Sequence, residues 1–574
     1  MKTNFYTKLI LLVLCLAMLV SSVACNQIEE QSSSDEITTE EATESKIETQ
    51  SETTTESVIE STTETETETE EETNLILDDV DYAENFTVSK VFGSDMVLQR
   101  NEKIRVWGWA DESENGKKVT VSFMGQTADA LIENGEWVAI LTTPYEACAE
   151  LGNTLSVHND KKEVVFTDVL VGDVFMVIGQ SNVAYSVQNY LNSEPDLKWT
   201  LDDLTYDSII RINYNSNTDT EGYPVRGTTD ICKDVVTDNG WVIPDEDNIR
   251  RLSAIGYFMA HQITELTDNS IPVGIAQFSA SGRPLSVFMP NELAEEYKSD
   301  RFSEEQGVYI GNYHSSVVTR YMYNHYIYPY ERMAIAGIVW YQGEAESAPA
   351  LSRVFVERFT ALMTYMRGTH NLVNKDFPVF IVEFPSIYPK PADAASWEYL
   401  NTGVIRAVEG NIPMSLSNSY TAVGCDLWDD ELNSNNVHPY CKYEQAERVV
   451  ALMDAVIYGG RTLDEATGPI LESITESNGN KTFTLKFSNF GEGLTTSDGS
   501  NIVRGIVAVN KKFEVETRVQ VTAEITAPDT IVVTCSKACA GVAYNAFPEN
   551  FYGNQINLCD SYGNPAKAFW ANVD

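Results

Sequence analysis

Four short segments carry side chains able to attack or polarise a carbonyl group, and they follow one another along the middle of the chain. The first is Gly179-Gln180-Ser181-Asn182. A serine on a tight turn between a strand and a helix is held exposed, with backbone N–H groups nearby that can bind an oxyanion. The second is Ser279-Ala280-Ser281-Gly282-Arg283-Pro284, where Gly282 allows a backbone N–H to approach a ligand closely. The third, Trp340-Tyr341-Gln342-Gly343-Glu344, sets an amide donor and a carboxylate at one rim, and the fourth is Asn436-Val437-His438-Pro439. The chain has six histidines. His158 falls in a strand pattern, His261, His314 and His325 in helical patterns, and His370 beyond a helix end. His438 alone falls in a loop on the expected catalytic edge. Taken singly, each feature has a plainer reading: a capping serine, a loop glycine, a capping histidine. In order, on successive α/β units, they read as one site.

The elements that must position these segments are legible from apolar patterning. Strands are expected over 174–178, 273–278, 335–341 and 379–384, each nearly all apolar, as in a parallel sheet buried on both faces. Helices are expected between them: Phe355, Phe359, Leu362, Met363 and Met366 form one stripe, and Ala446, Val449, Val450, Met453 and Val456 another, ended by Gly459-Gly460. This βαβ order predicts a doubly wound, mostly parallel α/β sheet over residues 169–460. Ligands in that architecture sit beyond the carboxyl ends of the strands, where the four segments fall. On either side, over 84–168 and 466–574, short alternating strands predict β-sandwiches. Examples are Ile104-Arg105-Val106-Trp107 and Phe483-Thr484-Leu485-Lys486-Phe487, and Asn115-Gly116 and Asn134-Gly135 read as turns.

Composition sets the remaining bounds. A chain of 574 residues that is 43% apolar and 22% charged is not wholly disordered, and its formal charge of −46 argues against a nucleic-acid partner. Lys2 and Lys8 precede an apolar run over 9–20, too short for a bilayer span of about 20 residues and suited to a signal peptide over 1–24. Ser21-Ser22-Val23-Ala24-Cys25 resembles a lipobox, with Ser22 in place of the usual Leu. Acylation of Cys25 would anchor the protein on the outer face of a bacterial membrane; ordinary cleavage near Ala24 would release it instead. Residues 26–80 hold nineteen acids against one lysine, among Ser and Thr, and predict an unfolded acidic tether reaching to about residue 83. The seven later cysteines are scattered and form no evident disulfide framework, and Cys535-x3-Cys539 lacks the companions of a zinc site.

The ordered set Gly179-Gln180-Ser181-Asn182, Gly282, Trp340-Tyr341-Gln342-Gly343-Glu344 and His438-Pro439 resembles the sialate O-acetylesterase family of SGNH hydrolases. Val91–Arg100, Asp168–Val174, Ser253–Phe258 and Ile271–Gly274 resemble further family blocks, so the likeness runs from about residue 87 to the C-terminus. The resemblance implies Ser181 as nucleophile and His438 as general base, with the N–H groups of Ser181 and Gly282 and the amide of Gln342 as oxyanion donors. It implies no metal or organic cofactor, and an O-acetylated glycan as substrate. The family's Asp, two or three residues before the histidine, is replaced here by Asn436 and Asn435. Glu344, Asp426, Asp429 and Asp430 are candidates for that role, with Glu344 favoured because it shares the sheet rim. Val183-Ala184 and Glu346 also depart from the family pattern, which bears on specificity more than on reaction class. Two other readings stay open: a weakened glycan-binding pseudo-esterase, and an adhesin in which the sandwiches do the work.

Overall fold

A single buried strand anchors the sheet that carries all four segments. The computed structural model describes residues 86–193, 207–215, 231–235, 240–296, 322–347, 349–369, 376–383, 402–427, 438–512, 514–546 and 556–573. The expected signal peptide, Cys25 and the tether lie outside the described residues, as do His314, His370, Asp429, Asp430, Asn435 and Asn436.

Strand β1 (Val97–Gln99) pairs in parallel with the start of β2 (Leu170–Gly179), Val97 opposite Leu170. All ten residues of β2 are buried. The other strands are β3 (Ile210–Asn215), β4 (Trp241–Val242), β5 (Val273–Ser279), β6 (Gly337–Tyr341), β7 (Val379–Val382) and β8 (Ser419–Ala422). Their order is β4-β3-β5-β2-β6-β7-β8. Neighbours run parallel except β4, which is antiparallel to β3.

Five helices matter for the site: α1 (Ser181–Ala184), α2 (Ala254–Leu266), α3 (Pro349–Thr369), α4 (Thr402–Glu409) and α5 (Lys442–Met453). Successive side chains of a strand point to opposite faces, and β6 shows that both faces are covered. The Trp340 ring packs edge-on against Phe359 of α3, centroids 5.0 Å apart. On the other face, the hydroxyl of Tyr341 accepts a 2.9 Å hydrogen bond from Gln445 Nε2 of α5. Cover on both faces is what an all-apolar parallel strand requires.

The central sheet is thus mixed and mostly parallel, with helices on both faces as expected, but four of its strands escape the sequence pattern, the two-residue β4 among them. β1 is short and falls within the segment expected to form the first sandwich. β3 alternates apolar and polar residues, yet its Arg211 and Asn213 are buried. β8 reads Ser-Tyr-Thr-Ala and has no apolar run. The last helix also differs. Its α-helical part ends at Met453 and passes into a π turn over Asp454–Tyr458, from which Val456 still packs, half-buried, against the same core. Gly459 then ends it in the left-handed conformation, φ +74°.

Antiparallel sheets stand on either side in the chain. Before the central sheet come a three-stranded sheet (Thr87–Val88, Ile104–Trp109, Glu136–Leu141) and a four-stranded one (Gln126–Leu131, Lys118–Phe123, Leu155–His158, Glu163–Phe166). After it, Ile470–Ser477, Thr482–Ser488, Thr530–Cys535 and Val521–Ala527 form a four-stranded sheet, accompanied by a three-stranded and a two-stranded one. Phe483, Leu485, Ile531, Val533 and Tyr544 belong to a separate apolar cluster in that last part.

Gly179 marks where β2 must turn. A Cβ there would lie 2.1 Å from the Tyr341 carbonyl oxygen and 2.7 Å from Val183 Cγ2. Because a backbone carbonyl cannot yield as a side chain can, Gly179→Ala is expected to cost about 1–3 kcal/mol of stability or more. It should lower the urea midpoint accordingly; an unchanged midpoint would show that the turn has slack.

Candidate active site

Register, not sequence distance, brings the first three segments together. At the carboxyl end of the sheet Gly179 of β2 lies between Ser279 of β5 and Tyr341 of β6. The chains leave side by side and stay tied for another residue: Ala280 N–H donates to the Gly179 carbonyl (3.0 Å) and Gln180 N–H to the Tyr341 carbonyl (3.3 Å). Ser181 is therefore two residues, Gly282 three and Gln342 one beyond a common level.

Ser181 is the first residue of α1 and is half-buried. Its backbone N–H is one of the amides that a helix start leaves without an intrahelical acceptor. Gly282 is exposed, with φ +64° and no atom within 4 Å of where a Cβ would stand. That left-handed backbone favours glycine, and the open space leaves its amide approachable.

Gln342 differs from its expected role. Its Nε2 donates to the Arg283 carbonyl (3.2 Å) and to the Glu346 carboxyl, while its buried Oε1 has no partner among the described residues. As it stands, this amide holds the Gly282 loop against the rim of β6 and has no N–H to spare for an oxyanion. Glu346, on its other oxygen, accepts the Leu285 N–H. Burial pushes the Glu346 carboxyl up to about 8.

Glu344 is half-buried at the rim, and the side chains it holds belong to the serine turn. One of its oxygens accepts from Asn182 Nδ2 and the other from the Gly343 N–H (3.2 Å). Desolvation raises its pKa, opposed by these bonds and by the charge of Lys442. Asp426, another candidate for the missing aspartate, is engaged by Arg448 Nη2 at 2.7 Å.

His438 arrives from the far end of the domain. Its ring stacks on Tyr185, the residue that ends α1, with centroids 6.2 Å apart and planes 29° apart. The imidazole thus lies against the residue that closes the turn begun by Ser181. Desolvation, and secondarily the charge of Lys442, hold its pKa below the ordinary 6.5. A neutral imidazole at neutral pH is the form a general base needs.

Sequence reading missed Lys442, the first residue of α5. It is fully buried, and its ammonium donates to Asn182 Oδ1 (2.9 Å) and the Pro439 carbonyl (2.8 Å). One signal was present. A cation in the first turn of a helix opposes the helix dipole, so a lysine there calls for a tertiary reason.

The Glu346 carboxyl gives a test of this packing. Its folded pKa, about 8, stands above the ordinary 4.5, so its contribution to stability is whole below about pH 4.5 and is lost as pH rises through 8. Glu346→Gln cannot ionise and should lack that slope. The urea midpoint of the variant relative to wild type is expected to rise steadily between pH 5 and pH 8.5; a constant difference would refute a buried, protonated Glu346.

Comparison with known proteins agrees with the geometry. Residues 171–437 match the family model for carbohydrate esterase, sialic acid-specific acetylesterase. The human sialate O-acetylesterase is 24% identical over 423 residues, covering 68% of this chain and 74% of that protein. The mouse sialate O-acetylesterase is 25% identical over 435 residues, covering 66% and 74%. A crystal structure described as a novel carbohydrate acetylesterase from Xanthomonas citri superposes with a TM-score of 0.62 at 21% identity, over 85% of this chain and 99% of that one, and so shares its fold. Residues 171–437 thus match the sialic acid-specific acetylesterase model of the carbohydrate esterases, and the chain is similar to the sialate O-acetylesterases over about two thirds of its length.

Proposed function

We propose that the protein is a carbohydrate O-acetylesterase that releases acetate from acetylated sialic acid or other acetylated glycans by serine nucleophilic catalysis. The observation that carries this reading is the convergence at one sheet edge. Ser181 stands at the end of the central strand, between the loops that carry Gly282 and Gln342, and His438 is stacked on the turn that follows it.

The chemistry follows from those positions. Ser181 Oγ attacks the acetyl carbon while His438, neutral at pH 7, takes its proton. The N–H groups of Ser181 and Gly282 receive the negative oxygen, each such donor being worth about 2.7–4 kcal/mol of barrier. Gln342 joins them only by releasing the Arg283 carbonyl. The protonated imidazole then gives its proton to the departing sugar oxygen, leaving an acetyl-serine. Water, deprotonated by His438, attacks that ester, and the imidazolium returns the proton to Ser181 Oγ as the C–O bond breaks and acetate is freed.

No carboxylate stands two or three residues before His438, and this favours one second reading: a protein that holds acetylated glycans and turns them over slowly or not at all. Cys25, acylated, and the acidic stretch after it would hold the enzyme off an anionic envelope, within reach of polymeric substrates.

Acetate release from acetylated sialic acid, xylan and mucin distinguishes the two. Ser181→Ala and His438→Ala should each lower kcat by about a thousandfold or more, with folding intact. Equal turnover by wild type and Ser181→Ala would remove the serine mechanism; glycan binding with no acetate release by any form would establish the second reading.

A further inference from the structure

The buried ammonium of Lys442 has a poor local environment and a specific tertiary one. It is desolvated and sits at the positive end of a helix dipole, both of which oppose a cation. Against this it donates to Asn182 Oδ1 at 2.9 Å and the Pro439 carbonyl at 2.8 Å, and its third N–H is shared between Gln445 Oε1 at 3.3 Å and the Tyr341 hydroxyl at 3.4 Å. The rings of Tyr185 and Tyr341 lie 5.2 and 5.1 Å from the charge, within cation–π range. Asn182 follows Ser181 directly and Pro439 follows His438 directly. Beyond Asn182 the chain of contacts continues to the Glu344 carboxylate, whose charge opposes that of Lys442.

From this geometry we infer that Lys442 is a positioning residue, a clamp that fixes the histidine loop to the nucleophile turn and so sets His438 over Ser181. Nothing covalent joins the two segments, which are separated by more than two hundred residues. The ammonium binds one atom group next to each reacting side chain. A displacement of about 1 Å at a reacting centre is enough to cost about a hundredfold in rate. The same charge disfavours protonation of His438. Lys442 and the Tyr185 ring face His438; Glu344 and Tyr341 from the end of β6, and the neighbouring Cys441, face Lys442.

The inference rests on Ser181 and His438 acting as a hydrolytic pair, so the experiment carries a control for that reading. Hydrolysis of an acetyl ester is followed from pH 4.5 to 9 with the full chain as wild type, Lys442→Met, Asn182→Ala, the double variant and Ser181→Ala. Thermal unfolding of each is recorded alongside. Lys442→Met is expected to lower kcat by about a hundredfold with little change in KM, and to move the acid limb of kcat/KM to higher pH as His438 regains its ordinary basicity. Asn182→Ala should lose about tenfold, and the double variant less than the product of the single losses, because both break one contact. A folded Lys442→Met with kcat within about threefold of wild type, a loss confined to KM, or an unmoved acid limb would each overturn the inference. Should Lys442→Met not fold, Asn182→Ala decides, and kcat within about threefold of wild type would overturn it. Activity surviving in Ser181→Ala strikes instead at the hydrolytic reading.

Discussion

The parallel pairing of β2 with β5 on one side and β6 on the other is the constraint from which the rest of the site follows. Because Gly179, Ser279 and Tyr341 end at one level, three loops must leave the sheet together, and whatever side chains they carry share a space a few residues deep. The pairing tolerates no Cβ at Gly179, so the strand can approach its neighbour this closely only with glycine at that position. Burial of every side chain in β2 fixes the register further, since a slip of one residue would exchange the two covered faces. A serine placed two residues past that point inherits its position from the hydrophobic core.

A second layer of organisation is polar and lies beneath the first. Glu344, Glu346 and Lys442 are ionisable groups withdrawn from water around Ser181 and His438, and each is held by the segment it helps to fix. Glu346 and Gln342 secure the Gly282 loop. Glu344 secures Asn182, and Lys442 joins Asn182 to the histidine loop. Buried polar groups are costly unless partnered, so a loosened loop at this edge would be paid for in unpartnered charge. The same low-dielectric setting, with the charge of Lys442, lowers the His438 pKa and so favours the neutral imidazole that its proposed role requires.

Much of this was legible from the chain. The apolar runs at β2, β5, β6 and β7 stand out because strands buried on both faces need no polar residues, and the segments after them are where an α/β sheet places its chemistry. β3 and β8 were not legible. Arg211 and Asn213 in β3 and the polar β8 break the apolar pattern, and their burial depends on partners contributed from elsewhere in the fold. The same holds for Gln342: its residue type and position suggested an oxyanion donor, but the direction of its amide is set by Arg283 and Glu346, which no spacing rule relates to it.

By itself the sequence determined the fold class of the central sheet and the order of the serine, glycine and histidine segments along the chain, because hydrophobic periodicity and local turn chemistry are properties of neighbouring residues. The tertiary structure alone decided which side chains face one another across the edge. It placed Tyr185 beneath His438, turned Glu344 toward Asn182, and brought Lys442 to the side-chain oxygen of Asn182 and the backbone carbonyl of Pro439. Those contacts join residues up to 260 positions apart, and such pairings are chosen by packing and by the need to partner buried charge, neither of which names its partner locally.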